Sequence, residues 1–273
     1  MTAPAARAAE AAVRWSLTDL ALHAETPRSW IYRCRSPFGP AALKLLTEAG
    51  AEEIAGAAYL AGRNGDGAAR LFGVSEDAML LEWLDGPPLG DRVRRNGDAE
   101  TPAGLAALVR RLHAPAATAP GLVPLDRSIA GLLSDTSADL AAPRALARRL
   151  LAEGRTPVPL HGDLHHENVL ETPDGWRVID PKGLIGDPDF ETANLFRNPE
   201  GRPDLALDPA RALALARALG HGLGRPTARL LAWAVVLAGA SRTWRPEPDF
   251  DAPMLAAVQA AMSEAVSTDG DWV

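Results

Sequence analysis

Cysteine is almost missing from this chain of 273 residues. Cys34 stands alone, so no intramolecular disulfide can form and no cysteine-based zinc site can be built. A reducing cytoplasm is the expected compartment. Long apolar runs are missing too: none reaches the roughly 18 residues that a bilayer-spanning helix needs. The alanine-rich start MTAPAARAAEAAV is broken by Arg7 and Glu10 before a signal-peptide core could form. The expectation is a soluble protein, neither exported nor held in a membrane. Basic charge is not in excess, because Asp and Glu outnumber Lys and Arg 35 to 28 for a formal net charge of -7. Affinity for nucleic acid rests on Lys/Arg contacts to phosphate, so no nucleic-acid partner is expected, and a cationic small molecule is the more natural guest. No G-x-G-x-x-G and no Walker A pattern occurs, so neither glycine-rich phosphate cradle is present.

What is present suffices for a core, at 47% hydrophobic residues. Up to residue 84, short β-like runs at 30–34, 41–46, 70–74 and 78–83 surround one helical stretch near 52–60, which the loop sequence RNGDG at 63–67 ends. The segment DGPPLG, 85–90, reads as a linker. Beyond it, Thr101-Pro102 and Asp208-Pro209 each offer an N-cap and a first-turn proline, for helices to about His113 and Leu219. Apolar periodicity marks further helices near 128–153, 226–242 and 253–266. The fold class expected is α+β with two lobes, β-rich over 1–84 and mainly helical over 85–273. No internal repeat or heptad seam is visible, and the oligomeric state is unreadable.

One β insertion interrupts the helical part. The runs 169–171 and 176–179 flank the turn sequence Thr172-Pro173-Asp174-Gly175, which predicts a hairpin. Asn168 then precedes its first strand and Asp180 follows its second, so both emerge at one end, with Asp163 in the loop leading there. Mg²⁺ prefers hard oxygen ligands and takes one or two carboxylates, which makes Asn168 and Asp180 suitable ligands. Asp163 beside them can accept a proton from a hydroxyl or orient it for attack on phosphorus.

The stretch LHGDLHHENVL, 160–170, fits the kinase catalytic-loop pattern H-R-D-L-x-x-x-N at His161, Asp163, Leu164 and Asn168, with Gly162 in place of the arginine. Together with VIDPKGLIGDPDFETANLFRNP, 178–199, it resembles the aminoglycoside/hydroxyurea antibiotic resistance kinase family, whose fold is protein-kinase-like and whose best-known activity is streptomycin 6-phosphotransfer. The resemblance implies ATP and Mg²⁺ as cofactors and phosphoryl transfer to a hydroxyl of an aminoglycoside-like or related small acceptor. It implies Asp163 as catalytic base, Asn168 and Asp180 on Mg²⁺, and Lys44 of AALKLL on the ATP phosphates. Glu53 is the candidate to steady Lys44, with Glu52 as the alternative. By position, backbone groups of Glu82, Trp83 and Leu84 would meet the adenine, and Ser29 with nearby amides would reach the β-phosphate.

Three histidines in six positions, 161, 165 and 166, with Asp163 among them also suggest a His/Asp metal-dependent hydrolase. That reading explains neither Asn168 nor the Asp180 hairpin; His161 reads better as a brace on backbone near Asp180, and His165 as a residue lining the acceptor. A nucleotide-binding pseudokinase acting as an interaction module is the non-enzymatic alternative, although none of Lys44, Asp163, Asn168 and Asp180 is lost. Asp187, Asp189 and Glu191 lie at the start of an expected helix, where acids favour the dipole and would also form an anionic rim for a cationic acceptor. Farther on, Trp233, Trp244 and Trp272 with Glu247, Asp249 and Asp251 are either core and solvated loop or part of the acceptor pocket. Lys182 has no assigned role.

Overall fold

Alternation along AALKLL frames the first half of the molecule. Ala41, Leu43 and Leu45 turn to one face and are buried, which puts Lys44 on the other. The computed structural model describes residues 4–115, 120–244 and 248–271, without the side chains of 248 and 249. Its first elements are α1 (Pro4–Trp15), β1 (Thr18–Glu25), β2 (Ser29–Ser36), β3 (Gly39–Leu46), α2 (Gly56–Arg63), β4 (Leu71–Val74) and β5 (Ala78–Glu82), with a 3₁₀ stretch over Glu48–Ala55. The strands form one antiparallel sheet in the order β1-β2-β3-β5-β4. The alanine-rich start is α1, whose Ala8 and Ala11 close over the Ala41, Leu43 and Leu45 face. β1 is an edge strand with no buried residue, so burial imposes no pattern that the sequence could reveal.

The second half holds α3 (Leu89–Asn96), α4 (Pro102–Leu112), β6 (Val123–Pro124), α5 (Leu125–Ser128), α6 (Ala130–Ser134), α7 (Ala141–Ala152), β7 (Val158–Leu160), β8 (Val169–Thr172), β9 (Gly175–Val178), β10 (Leu184–Gly186), α8 (Pro203–Ala206), α9 (Pro209–Leu223), α10 (Thr227–Trp244) and α11 (Pro248–Asp269). The architecture is α+β, with a β-rich first part and a helical second part. α10 is buried on all sides over most of its length, as expected of a helix without a polar face, and is the pillar of the second core.

Three local expectations need correction. The helix read over 128–153 is broken between α6 and α7, where Asp135 Oδ1 accepts the Ser137 amide at 2.7 Å and competes with helical hydrogen bonding. Thr101 does not cap α4: its hydroxyl donates to Asp98 O at 2.8 Å, whereas Asp208 does cap α9 by accepting the Ala210 amide at 2.9 Å. The last helix starts at Pro248 and continues through Pro253. Among the described residues, no helix is long and apolar enough to cross a membrane.

Candidate active site

The hairpin forms as its turn chemistry predicts. β8 and β9 pair antiparallel, Val169 with Val178 and Thr172 with Gly175, and Ile179 N donates to Asn168 O at 3.0 Å. Asn168 and Asp180 therefore leave the same end. Asp180 takes a left-handed backbone conformation, φ +59°, which Asp tolerates better than most residues. Behind it, buried His161 donates through Nε2 to Ile179 O at 2.8 Å and accepts the Asp163 amide on Nδ1 at 3.2 Å. Burial holds the His161 pKa below its ordinary value, so the ring stays neutral. Asn168 Nδ2 donates to Asp163 O at 3.0 Å, which leaves the amide oxygen as an acceptor. Gly162 stands where the kinase pattern has arginine because φ is +77° and a Cβ would come 2.6 Å from Leu184 Cγ.

Lys44 reaches this loop from the sheet. Its buried ammonium pairs with Asp180 Oδ1 and, at 2.7 Å, with Glu53 Oε2. Burial alone would lower the Lys44 pKa, but the Asp180 and Glu53 charges outweigh it and raise the value, so the cation persists. Glu53 rather than Glu52 is the partner. The short connection suffices because the chain after β3 winds as a 3₁₀ helix, and Gly56 lets it approach closely: a Cβ there would sit 2.2 Å from Pro181 O. Arg28 braces the same carboxylate, Nε to Glu53 Oε1 at 2.6 Å, and also pairs with Glu52.

Asp163 is partly exposed. Its Oδ1 accepts from Asn194 Nδ2 at 2.7 Å and lies 3.5 Å from Lys182 Nζ. Burial would raise this carboxyl; the Lys182 ammonium first, with the His165 ring beside it, outweighs burial and holds the pKa below the ordinary carboxylate value. Lys182 arrives there because its amide donates to His161 O at 2.8 Å just before β10 pairs with β7. Neither Asn194 nor Lys182 was assigned from sequence. A usable signal existed for the latter: the chain holds only two lysines, Lys44 and Lys182, among 28 basic residues.

The expected anionic rim is instead internal. Glu191 is wholly buried under the loop, its oxygens accepting from His161 N at 3.0 Å, Gly162 N at 3.1 Å and His113 Nε2 at 3.1 Å. Burial would raise its pKa, but the His113 hydrogen bond and charge and the Gly162 amide hold it below the ordinary value. Asp187 and Asp189 are buried and paired with Arg229, Asp189 also with Arg225 at 3.0 Å. The cause is charge pairing with Arg225, in the turn between α9 and α10, and with Arg229 of α10. Asp251 is likewise buried, 3.3 Å from Arg197, and Trp233 is a core residue packed edge-on to Phe190. Glu247 and Trp272, and the side chain of Asp249, lie outside the described residues.

The remaining expected positions are more mixed. Ser29 is buried, its amide donating to Thr26 Oγ1 at 3.0 Å and its hydroxyl 3.3 Å from the same oxygen in the β1–β2 turn. The Glu82 and Trp83 amides donate to Arg70 O and Pro40 O, and the Glu82 carboxylate is held by Arg177 at 3.0 and 2.5 Å. Of the three amides, that of Leu84 has no such partner among the described residues. His165 Nδ1 is bonded to Glu167 at 3.1 Å.

The donor set at the end of the hairpin, an amide oxygen and a half-exposed carboxylate, is hard and oxygen-only, which suits Mg²⁺. The hydrolase alternative fails on geometry: among the described residues no three His, Cys, Asp or Glu side chains gather to hold a metal, His161 has both nitrogens engaged, and His166 is sealed in the core.

The family described as aminoglycoside/hydroxyurea antibiotic resistance kinase matches residues 14–248. A streptomycin 3''-kinase of Klebsiella pneumoniae is 39% identical over 240 residues, which is 85% of this chain and 89% of that one. A streptomycin 6-kinase of Streptomyces griseus is 37% identical over 142 residues, 46% of this chain and 45% of that one. The solved structure of the aminoglycoside phosphotransferase APH(4)-Ia superposes with a TM-score of 0.61 at 16% identity, covering 97% of this chain and 99% of that one, a likeness of fold alone. The chain belongs to the aminoglycoside/hydroxyurea antibiotic resistance kinase family.

Proposed function

We infer that this chain transfers the γ-phosphoryl group of ATP to a hydroxyl of an aminoglycoside-type acceptor, streptomycin first among them. The observation that carries the reading is the pairing of sheet-borne Lys44 with Glu53 and with Asp180, beside the loop of Asp163 and Asn168. Lys44 would bind the ATP phosphates, Leu84 would offer backbone to the adenine, and Asn168 and Asp180 would hold Mg²⁺, which supplies charge neutralisation to the phosphates. Asp163, ionised at neutral pH, orients the acceptor hydroxyl and takes its proton. The bond from acceptor oxygen to γ-phosphorus forms, the bond from γ-phosphorus to the bridging oxygen breaks, and ADP leaves. Because such transition states are loose, positioning and charge neutralisation carry most of the rate. The lobes divide between Leu84 and Asp85, and a cytoplasmic setting supplies both ATP and the reducing conditions that suit one buried thiol.

Purified protein given γ-labelled ATP and streptomycin is expected to label the antibiotic. The match to the 3''-kinase spans far more of the chain than that to the 6-kinase, so the 3''-hydroxyl is the expected site, which NMR of the product distinguishes. Failure to label any member of an aminoglycoside panel would falsify this reading.

A further inference from the structure

Trp244, at the end of α10, is 41% exposed, in contrast to the fully buried Trp233 of the same helix. Lys182 Nζ lies 5.0 Å from the centre of its ring and 3.5 Å from Asp163 Oδ1, so one ammonium separates the indole face from the candidate base. Both contacts are loose. The backbone of Lys182 is fixed to His161 O at 2.8 Å, while its side chain is 42% exposed and has no tight ion pair. An arginine there would clamp Asp163 with a rigid fork, whereas lysine is a compact charge on a flexible stem. In a chain with two lysines among 28 basic residues, both stand at this cleft. With Asp187, Asp189, Glu191 and Asp251 all internal, the exposed indole is, among the described residues, a surface beside Lys182 and Asp163 suited to receive a cation.

We propose that the face of Trp244 is the docking site for a cationic group of the acceptor, and that this group displaces Lys182, whose ammonium then turns to the phosphoryl group in transfer. The inference rests on the aminoglycoside kinase reading and adds to it the residue that selects cationic acceptors. The ligand-free arrangement is thus self-occupied: Lys182 holds the place of the substrate's cation until that cation arrives. The acceptor's arrival and the supply of positive charge at the γ-phosphate become one event.

The test uses the full chain. Streptomycin binding is measured by calorimetry in the presence of a non-hydrolysable ATP analogue, and turnover by labelled phosphate. Trp244→Leu is expected to weaken streptomycin binding about tenfold, while Trp244→Phe, which keeps an aromatic face, stays within about threefold. Lys182→Met is expected to lower kcat about 100-fold without raising the acceptor KM, and Lys182→Arg to recover part of the loss. Both positions are exposed, and an unchanged melting temperature checks that folding is intact. Wild-type affinity in Trp244→Leu, or a Lys182→Met defect that falls on acceptor KM rather than kcat, overturns the proposal while leaving the kinase reading intact. Wild-type protein that neither binds nor labels streptomycin overturns both.

Discussion

At the scale of single residues, the site is held by groups that only position others. Asn194 donates to the same Asp163 oxygen that Lys182 faces, which fixes the carboxylate's rotation. Misplacing a reacting group by about 1 Å costs on the order of 100-fold in rate. Asn194→Ala is therefore expected to lower kcat roughly 10- to 100-fold while the ATP dissociation constant stays near wild type, as steady-state kinetics and nucleotide titration would show. Asp163→Ala should abolish turnover with ATP binding retained. The convergence of Asp163, Asn168 and Asp180 was legible because fixed spacing around a hairpin encodes it, whereas Lys44 was reached only through the family resemblance. Asn194 was not legible, since a lone asparagine carries no spacing signal. The acids at 187, 189 and 191 were misread for a different reason: a count of charges in a segment cannot show that Arg225 and Arg229, some forty residues on, come back to pair with Asp187 and Asp189, or that Glu191 turns inward to His113 and the loop amides.

At the scale of elements, turn and cap chemistry were read well where a side chain has one local use, and badly where it has two. Thr172-Pro173-Asp174-Gly175 gave the hairpin in register. Asp208 caps α9, so Asp208→Ala should cost about 1 kcal/mol while Asp208→Asn, an equal capping residue, costs little; urea unfolding midpoints measure both. Thr101 looked the same in sequence, but its buried hydroxyl finds Asp98 O instead. The segment 85–90 read as a linker and is partly one, yet Glu171 N donates to Pro87 O and Pro88 bridges Leu170, so it grips the hairpin. Such long-range stitching leaves no trace in local composition.

At the scale of the whole molecule, ion pairs cross between the two halves beside an apolar core that both share. Arg177 on β9 holds Glu82 at the end of β5 and also donates to Ala68 O at 2.8 Å, while Lys44 reaches across to Asp180. The two-lobed fold itself was legible because the change from β-like runs to helical periodicity is a property of many residues at once. The stability of that assembly should depend on pH through its buried imidazoles. His166 is wholly buried, neither ring nitrogen has a hydrogen-bond partner among the described residues, and its pKa is lowered from 6.5 to about 4, first by burial and then by the Arg211 charge, against the opposing pull of Glu167 and Asp98. His161 shifts in the same direction. The unfolded chain therefore binds the proton more readily than the folded one, so stability is full above pH 6.5 and falls as pH drops toward 4. At about 1.4 kcal/mol per pKa unit, the His166 ring alone removes roughly 2 kcal/mol by pH 5 and about 3 kcal/mol by pH 4. Urea unfolding in the presence of a chelator should show this slope in the wild type, and His166→Leu, which has no proton to bind, should lose most of it. A variant that kept the full slope would place the titrating group elsewhere in the core.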